Sequence, residues 1–156
     1  MRWNVIRVTQ IGCVLVLLAV VTGRAQTSVG DREALLQFQR AADSYAFAHR
    51  QADRRGGQWS AAEGALFTPT VAAAMRSRIH EVQARGGCHL PATGTLGFEV
   101  PRVNASTQGT SALPACVVAA LPPLPPELEY RTAGVALLLA DAHLHIVVDV
   151  LHAAFP

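Results

Sequence analysis

The chain contains no lysine; its 13 basic residues are all arginine, set against 11 acidic residues and six histidines. Several chemical signatures are absent as well. There is no Gly-x-Ser-x-Gly nucleophile elbow, no His-Glu-x-x-His and no phosphate-cradling glycine loop, so the common hydrolase, zinc-protease and nucleotide-binding patterns are excluded. No Cys-x-x-Cys lowers a thiol pKa, which removes the usual redox motif. The arginines form no clustered basic face, so no nucleic-acid footprint is expected. Neither an internal repeat nor a run of coiled-coil heptads is present.

What the chain does have begins at its N-terminus. Arg2 and Arg7 precede an apolar run from Ile11 to Val21, and no acidic residue occurs before Asp31. The run ends at Thr22-Gly23-Arg24-Ala25. A positive n-region, a short apolar h-region and small residues before the cut define a secretory signal peptide. The expectation is cleavage between Ala25 and Gln26, with residues 1–25 removed and the product periplasmic or secreted. The run is shorter than the ~20 apolar residues needed to span a bilayer, so the product is not expected to be an integral membrane protein. Without Arg2, Arg7 and Arg24, ten arginines face 11 acidic residues, for a formal charge of −1 rather than the +2 of the whole chain.

Residues 26–156 suit one small domain. Of the three cysteines, Cys13 leaves with the leader, and Cys88 and Cys116 remain. An even count in an oxidising compartment predicts a Cys88–Cys116 disulfide, and closing that loop would stabilise by ~3–4 kcal/mol in the chain-entropy model. A Cys88, His89 and Cys116 metal site is the less favoured use of the same residues, because export favours oxidised cysteines.

The expected fold class is α+β: a signal segment, a helical hairpin over 31–87, a loop-rich stretch over 88–127, and an antiparallel β-meander over 128–151. Asp31 to Arg55 reads as a helix, with Leu35, Phe38, Ala42, Tyr45 and His49 on one face. Ser28 and Asp31 form a capping-box pattern, and Gly56-Gly57 ends the helix. His49 continues the apolar stripe and should pack with a hydrogen-bonded tip, whereas Asp43, Arg50, Asp53 and Arg54 should be solvated. Phe47 lies off the stripe and is free to face a second element or a partner. Ser60 to Glu63 repeats the capping-box form, which suggests a short turn near 60–66. Thr68-Pro69 opens a second helix, which runs to Arg85 with Val71, Met75, Ile79 and Val82 as its stripe. His80 should be solvated.

Between the helices and the meander, Leu96 to Val103 and Cys116 to Leu121 are candidate short strands, and Asn104-Ala105-Ser106 reads as a surface loop. Pro122, Pro123, Pro125 and Pro126 form a stiff connector. Glu127 and Glu129 read as solvated charges. Three strands are then expected, over 128–132, 135–140 and 143–151. In the last, Leu144, Ile146, Val148 and Val150 face one way and His143, His145, Val147 and Asp149 the other. A helix over 142–154 fits the spacing as an alternative. With the strand, His143 and His145 share a face with Asp141, and two imidazoles plus a carboxylate suit zinc, copper or nickel.

Two stretches carry a resemblance. Phe38-Gln-Arg-Ala-Ala-Asp-Ser-Tyr-Ala-Phe-Ala-His-Arg50 with Leu66-Phe-Thr-Pro-Thr-Val71, and Leu121-Pro-Pro-Leu-Pro-Pro-Glu-Leu-Glu-Tyr-Arg131 with the run to Leu151, resemble a family of small exported bacterial proteins of unassigned activity. The resemblance implies export and no particular chemistry. The last strands are also similar to the C-terminal strands of periplasmic nickel/cobalt-homeostasis proteins, in which a Tyr-Arg strand precedes two apolar strands ending in Val-Asp-Val; that likeness implies a metal role. The expected function is therefore a small periplasmic interaction protein without catalysis or cofactor, its partner an envelope protein. The alternative is a divalent-metal-binding protein using His143, His145 and Asp141.

Overall fold

The structure is a computed structural model that describes residues 28–56, 60–61, 66–88 and 99–155. The signal segment, the Ala25–Gln26 cleavage site, His89 and the start of the expected 96–103 strand lie outside the described residues. Two helices come first, α1 (Val29–Arg54) and α2 (Pro69–Ala84). The Ser28 hydroxyl caps α1 by accepting from the Asp31 N–H at 3.0 Å, which satisfies one of the unpaired donors of the first turn. Thr68 plays the same part for α2, with Pro69 in the first turn. Both helices end where the sequence demands a left-handed residue, at Gly56 (φ 65°) and at Gly86 (φ 72°).

A four-stranded antiparallel sheet follows in the order β1-β2-β3-β4, formed by β1 (Ser111–Ala112), β2 (Leu128–Ala133), β3 (Ala136–Asp141) and β4 (Ile146–Leu151). The sequence foresaw the last three strands. The two-residue β1 pairs Ser111 with Thr132 and Ala112 with Arg131, too short a segment to leave a periodic signal. The expected strand over Cys116–Leu121 is instead a short helix, α3 (Ala115–Val118). The Cys88–Cys116 disulfide forms, with Cα atoms 5.9 Å apart, and it ties the end of α2 to α3.

The helices cover one face of the sheet. Phe38 stacks in parallel on Phe67 (5.7 Å between centroids) and on Tyr130 (6.4 Å). Val71, Met75, Ile79, Leu137, Leu139, Val148 and Leu151 complete this core. On the opposite face Ala133, Ala136, Leu138 and Val147 pack together, with Val100 and Val150 against them. A register shift after Leu139 places Leu139 opposite Asp149 but Ala140 opposite Val147. This bulge breaks the strict alternation expected for β4: Val148 and Leu151 join the helix-side core, while Val147 and Val150 face away from it. Strand pairing also settles the 142–154 segment against a helix, since Ile146–Leu151 is hydrogen-bonded to β3.

Candidate functional site

Polar side chains converge where the C-terminal half of α1 crosses the β3–β4 turn. Tyr45, His49 and Asp53 follow one another at four-residue spacing, so they stack on one side of the helix. His49 is 1% exposed and Asp141, at the end of β3, is 0% exposed. The His49 ring lies between two carboxylates: Nε2 is 3.3 Å from Asp141 Oδ2, and Nδ1 is 3.3 Å from Asp53 Oδ2. Tyr45 donates its hydroxyl to Asp141 Oδ2 at 3.3 Å. Tyr45 and His143 both stack on the His49 ring, each with centroids 6.3 Å away.

The second oxygen of Asp141 accepts the backbone N–H groups of His143 (2.9 Å) and Leu144 (2.8 Å). Asp141 thus closes its own turn and, through the other oxygen, binds α1. A carboxylate offers about four lone-pair positions, and this one meets four neighbours. Next to it, Arg50 is hydrogen-bonded to Glu127, and the Glu127 carbonyl accepts from the Ala142 N–H at 2.8 Å. Glu127 is buried. Burial pushes its carboxyl up, but the Arg50 hydrogen bond, the bond from its own N–H and the positive charges of Arg50 and His143 outweigh this and hold it below the ordinary 4.5.

Glu127 is buried and not the surface charge expected. Arg50 and Asp53 are exposed as expected, and each also reaches a buried partner. Helical spacing cannot show that a strand end packs against the far turn of α1. His49 is buried as expected, with a carboxylate oxygen 3.3 Å from each ring nitrogen.

The proposed metal ligands are not brought together. β4 begins at Ile146, so His143 and His145 lie in the turn and not on a strand face. His143 leans on His49, Asp141 is committed to four neighbours, and His145 takes a left-handed backbone (φ 53°) and is exposed. The reason is the Asp141 carboxylate, which captures the amides of His143 and Leu144 and turns the chain before the expected strand can start. Among the described residues no three His, Cys, Asp or Glu groups are gathered for a metal ion.

A third buried carboxylate escaped sequence reading. Asp149 accepts from the N–H groups of Leu66 (2.9 Å) and Phe67 (2.7 Å) through one oxygen and from Val150 (2.9 Å) through the other. It anchors the segment that leads into α2. Its place in an apolar strand, Ile146–Leu151, is the signal that it is satisfied internally.

The surface offers a different kind of site. A groove of about 400 Å³ is walled by Ala112, Leu113, Val118, Pro122-Pro123-Leu124, Leu128 and Tyr130. The proline connector forms one bank, because it runs extended and its Pro122 carbonyl is held at 3.0 Å by the Tyr130 hydroxyl. Burial pushes that phenol's pKa up. Val118 is 43% exposed at the rim. Glu129 also lines the groove, paired with Arg131 at 3.0 Å.

Among the described residues no helix is long and apolar enough to cross a membrane. No protein-family model, curated protein or solved structure matches the chain.

Proposed function

We propose that the protein is a small exported module of the bacterial periplasm that acts by binding a segment of another envelope polypeptide, without catalysis. The observation that carries this reading is the groove beside the proline connector. Its volume lies in the ligand-site range of about 300–1,000 Å³, and its walls are mostly apolar. It opens along β2 where β1 has ended, since β1 pairs only with Arg131 and Thr132. An extended apolar segment fits that shape, with side chains between the prolines and Tyr130 and with Glu129 and Arg131 at the rim.

Other observations support the reading. The His49–Asp141 cluster has an acid–base composition, but both groups are closed to solvent, so a substrate does not reach them; the cluster fastens α1 to the sheet. The disulfide suits an oxidising compartment, as the N-terminal leader pattern requires. The test is a photo-crosslinking residue placed at Val118 and, as control, at exposed His80 on α2, in cells expressing the full chain. A discrete envelope adduct from position 118 alone, lost on adding Glu129→Arg or Leu124→Asp, supports the proposal. Equal labelling from both positions rejects it.

A further inference from the structure

The outer face of α1 carries an apolar line that neither core uses. Val29, Leu36 and Phe47 are 89%, 45% and 60% exposed. At 100° per residue they fall within about 20° of one line along a helix roughly 39 Å long. Arg40 and Asp43 lie between Leu36 and Phe47 within about 40° of the same line, and both are exposed. Glu33 flanks the line on one side and Arg50 on the other, with Glu33 held to Arg40 at 2.9 Å.

The order of these residues is self-complementary. Reversed about a point between positions 41 and 42, Leu36 falls on Phe47 and Arg40 on Asp43; farther out, Val29 falls on Arg54, and Glu33 on Arg50, which is already bound to Glu127 of its own chain. Within the central stretch from Leu36 to Phe47 apolar meets apolar and each charge meets its opposite, which is what a two-fold, isologous contact requires. A parallel arrangement would set like on like.

We infer that this face is an interface for a second copy of the same chain, with the two α1 helices packed antiparallel. Leu36 of each copy packs on Phe47 of the other at two symmetric points about 16 Å apart along the helix. Between them Arg40 and Asp43 of both copies form an alternating quartet of charges that fixes register and direction. Two apolar and two charged side chains per copy make a smaller contact than the about 1,200 Å² at which specific, stable interfaces begin, so the dimer is weak and concentration-dependent. The inference does not rest on the groove reading, although Leu36 also borders a depression shared with Leu121 and Pro122.

Sedimentation velocity of protein purified from cells expressing the full chain tests it. Wild-type protein is expected to shift from monomer to dimer as concentration rises toward about 1 mM. Arg40→Asp alone and Asp43→Arg alone should each raise the dimer Kd by at least about tenfold, because each puts four like charges at the centre. Mixed one to one, the two variants should associate at least as well as wild type, since opposite charges again face one another. Unchanged melting of each variant keeps misfolding out of the result. A wild type that stays monomeric, or a mixture no tighter than its components, overturns the inference.

Discussion

Asp141 shows how much one side chain decides here. Its carboxylate meets two backbone amides, a tyrosine hydroxyl and an imidazole while fully buried. Removing it leaves the buried His49 imidazole without its Asp141 neighbour and unties the part-buried turn amides and Tyr45 hydroxyl, and unpaired buried polar groups cost about 1–3 kcal/mol each before relaxation. Asp141→Ala is therefore expected to destabilise by about 3 kcal/mol or more in urea denaturation. Asp53→Ala, which removes a carboxylate 58% exposed, should cost less than about 1 kcal/mol. Equal effects would mean that His49 is not held between them as described. Glu127 sets an acid limit. Its folded pKa is depressed below 4.5, so the stability it adds is present above that value and is lost as pH falls through the folded pKa. Glu127→Gln should flatten the fall of melting temperature below pH 4.5, while leaving the curve above it parallel to wild type. The histidine in the apolar stripe of α1 was legible in the sequence. Its carboxylate partner was not, because Asp141 lies 92 positions away and nothing local ties the two.

At the scale of elements, the helices were written locally. Ser28, Thr68-Pro69, Gly56 and Gly86 mark their ends by capping chemistry that acts within four residues. β2 and β4 were legible as apolar alternation and β3 as a continuous apolar run, up to the point where Asp141 captured the amides of the turn and a bulge shifted β4. The expected strand over 116–121 failed for a related reason: Pro114 opens a helical turn whose first carbonyl accepts from Val117 and Val118, and the disulfide holds it against the end of α2. That bond closes a loop with a sequence separation of 28. Replacing both cysteines by serine should lower stability by about 3–4 kcal/mol, read by chemical denaturation under oxidising conditions. A loss below about 1 kcal/mol would show that the packing of Val117, fully buried, holds α3 in place without the cross-link.

For the whole molecule, two apolar surfaces lie on different elements, and their functions should separate. Val118→Asp changes a rim residue 43% exposed; it should abolish binding in the groove and leave both melting temperature and self-association unchanged. Leu36→Glu should do the reverse, raising the dimer Kd at least about tenfold without affecting groove crosslinking from an independent position such as Leu124. Crossed effects, with either variant disturbing both readouts, would show that the surfaces act as one. By contrast Phe38→Ala, at the centre of the aromatic stack between α1, the Leu66-Phe67 segment and β2, should cost about 3–5 kcal/mol and weaken everything together.

The sequence alone determined the α+β class, the helix ends, the disulfide pair and the presence of a leader pattern, because each depends on periodicity, capping or counting over short stretches of chain. Tertiary structure alone decided which charges are buried, where β4 begins, and that the connector of prolines faces a tyrosine to make a groove. Those outcomes depend on which distant surfaces meet. Whether Asp141 serves as a metal ligand, a solvated charge or the fastening of α1 is set by Tyr45 and His49 arriving from across the fold, and no pattern within 141–151 carries that information.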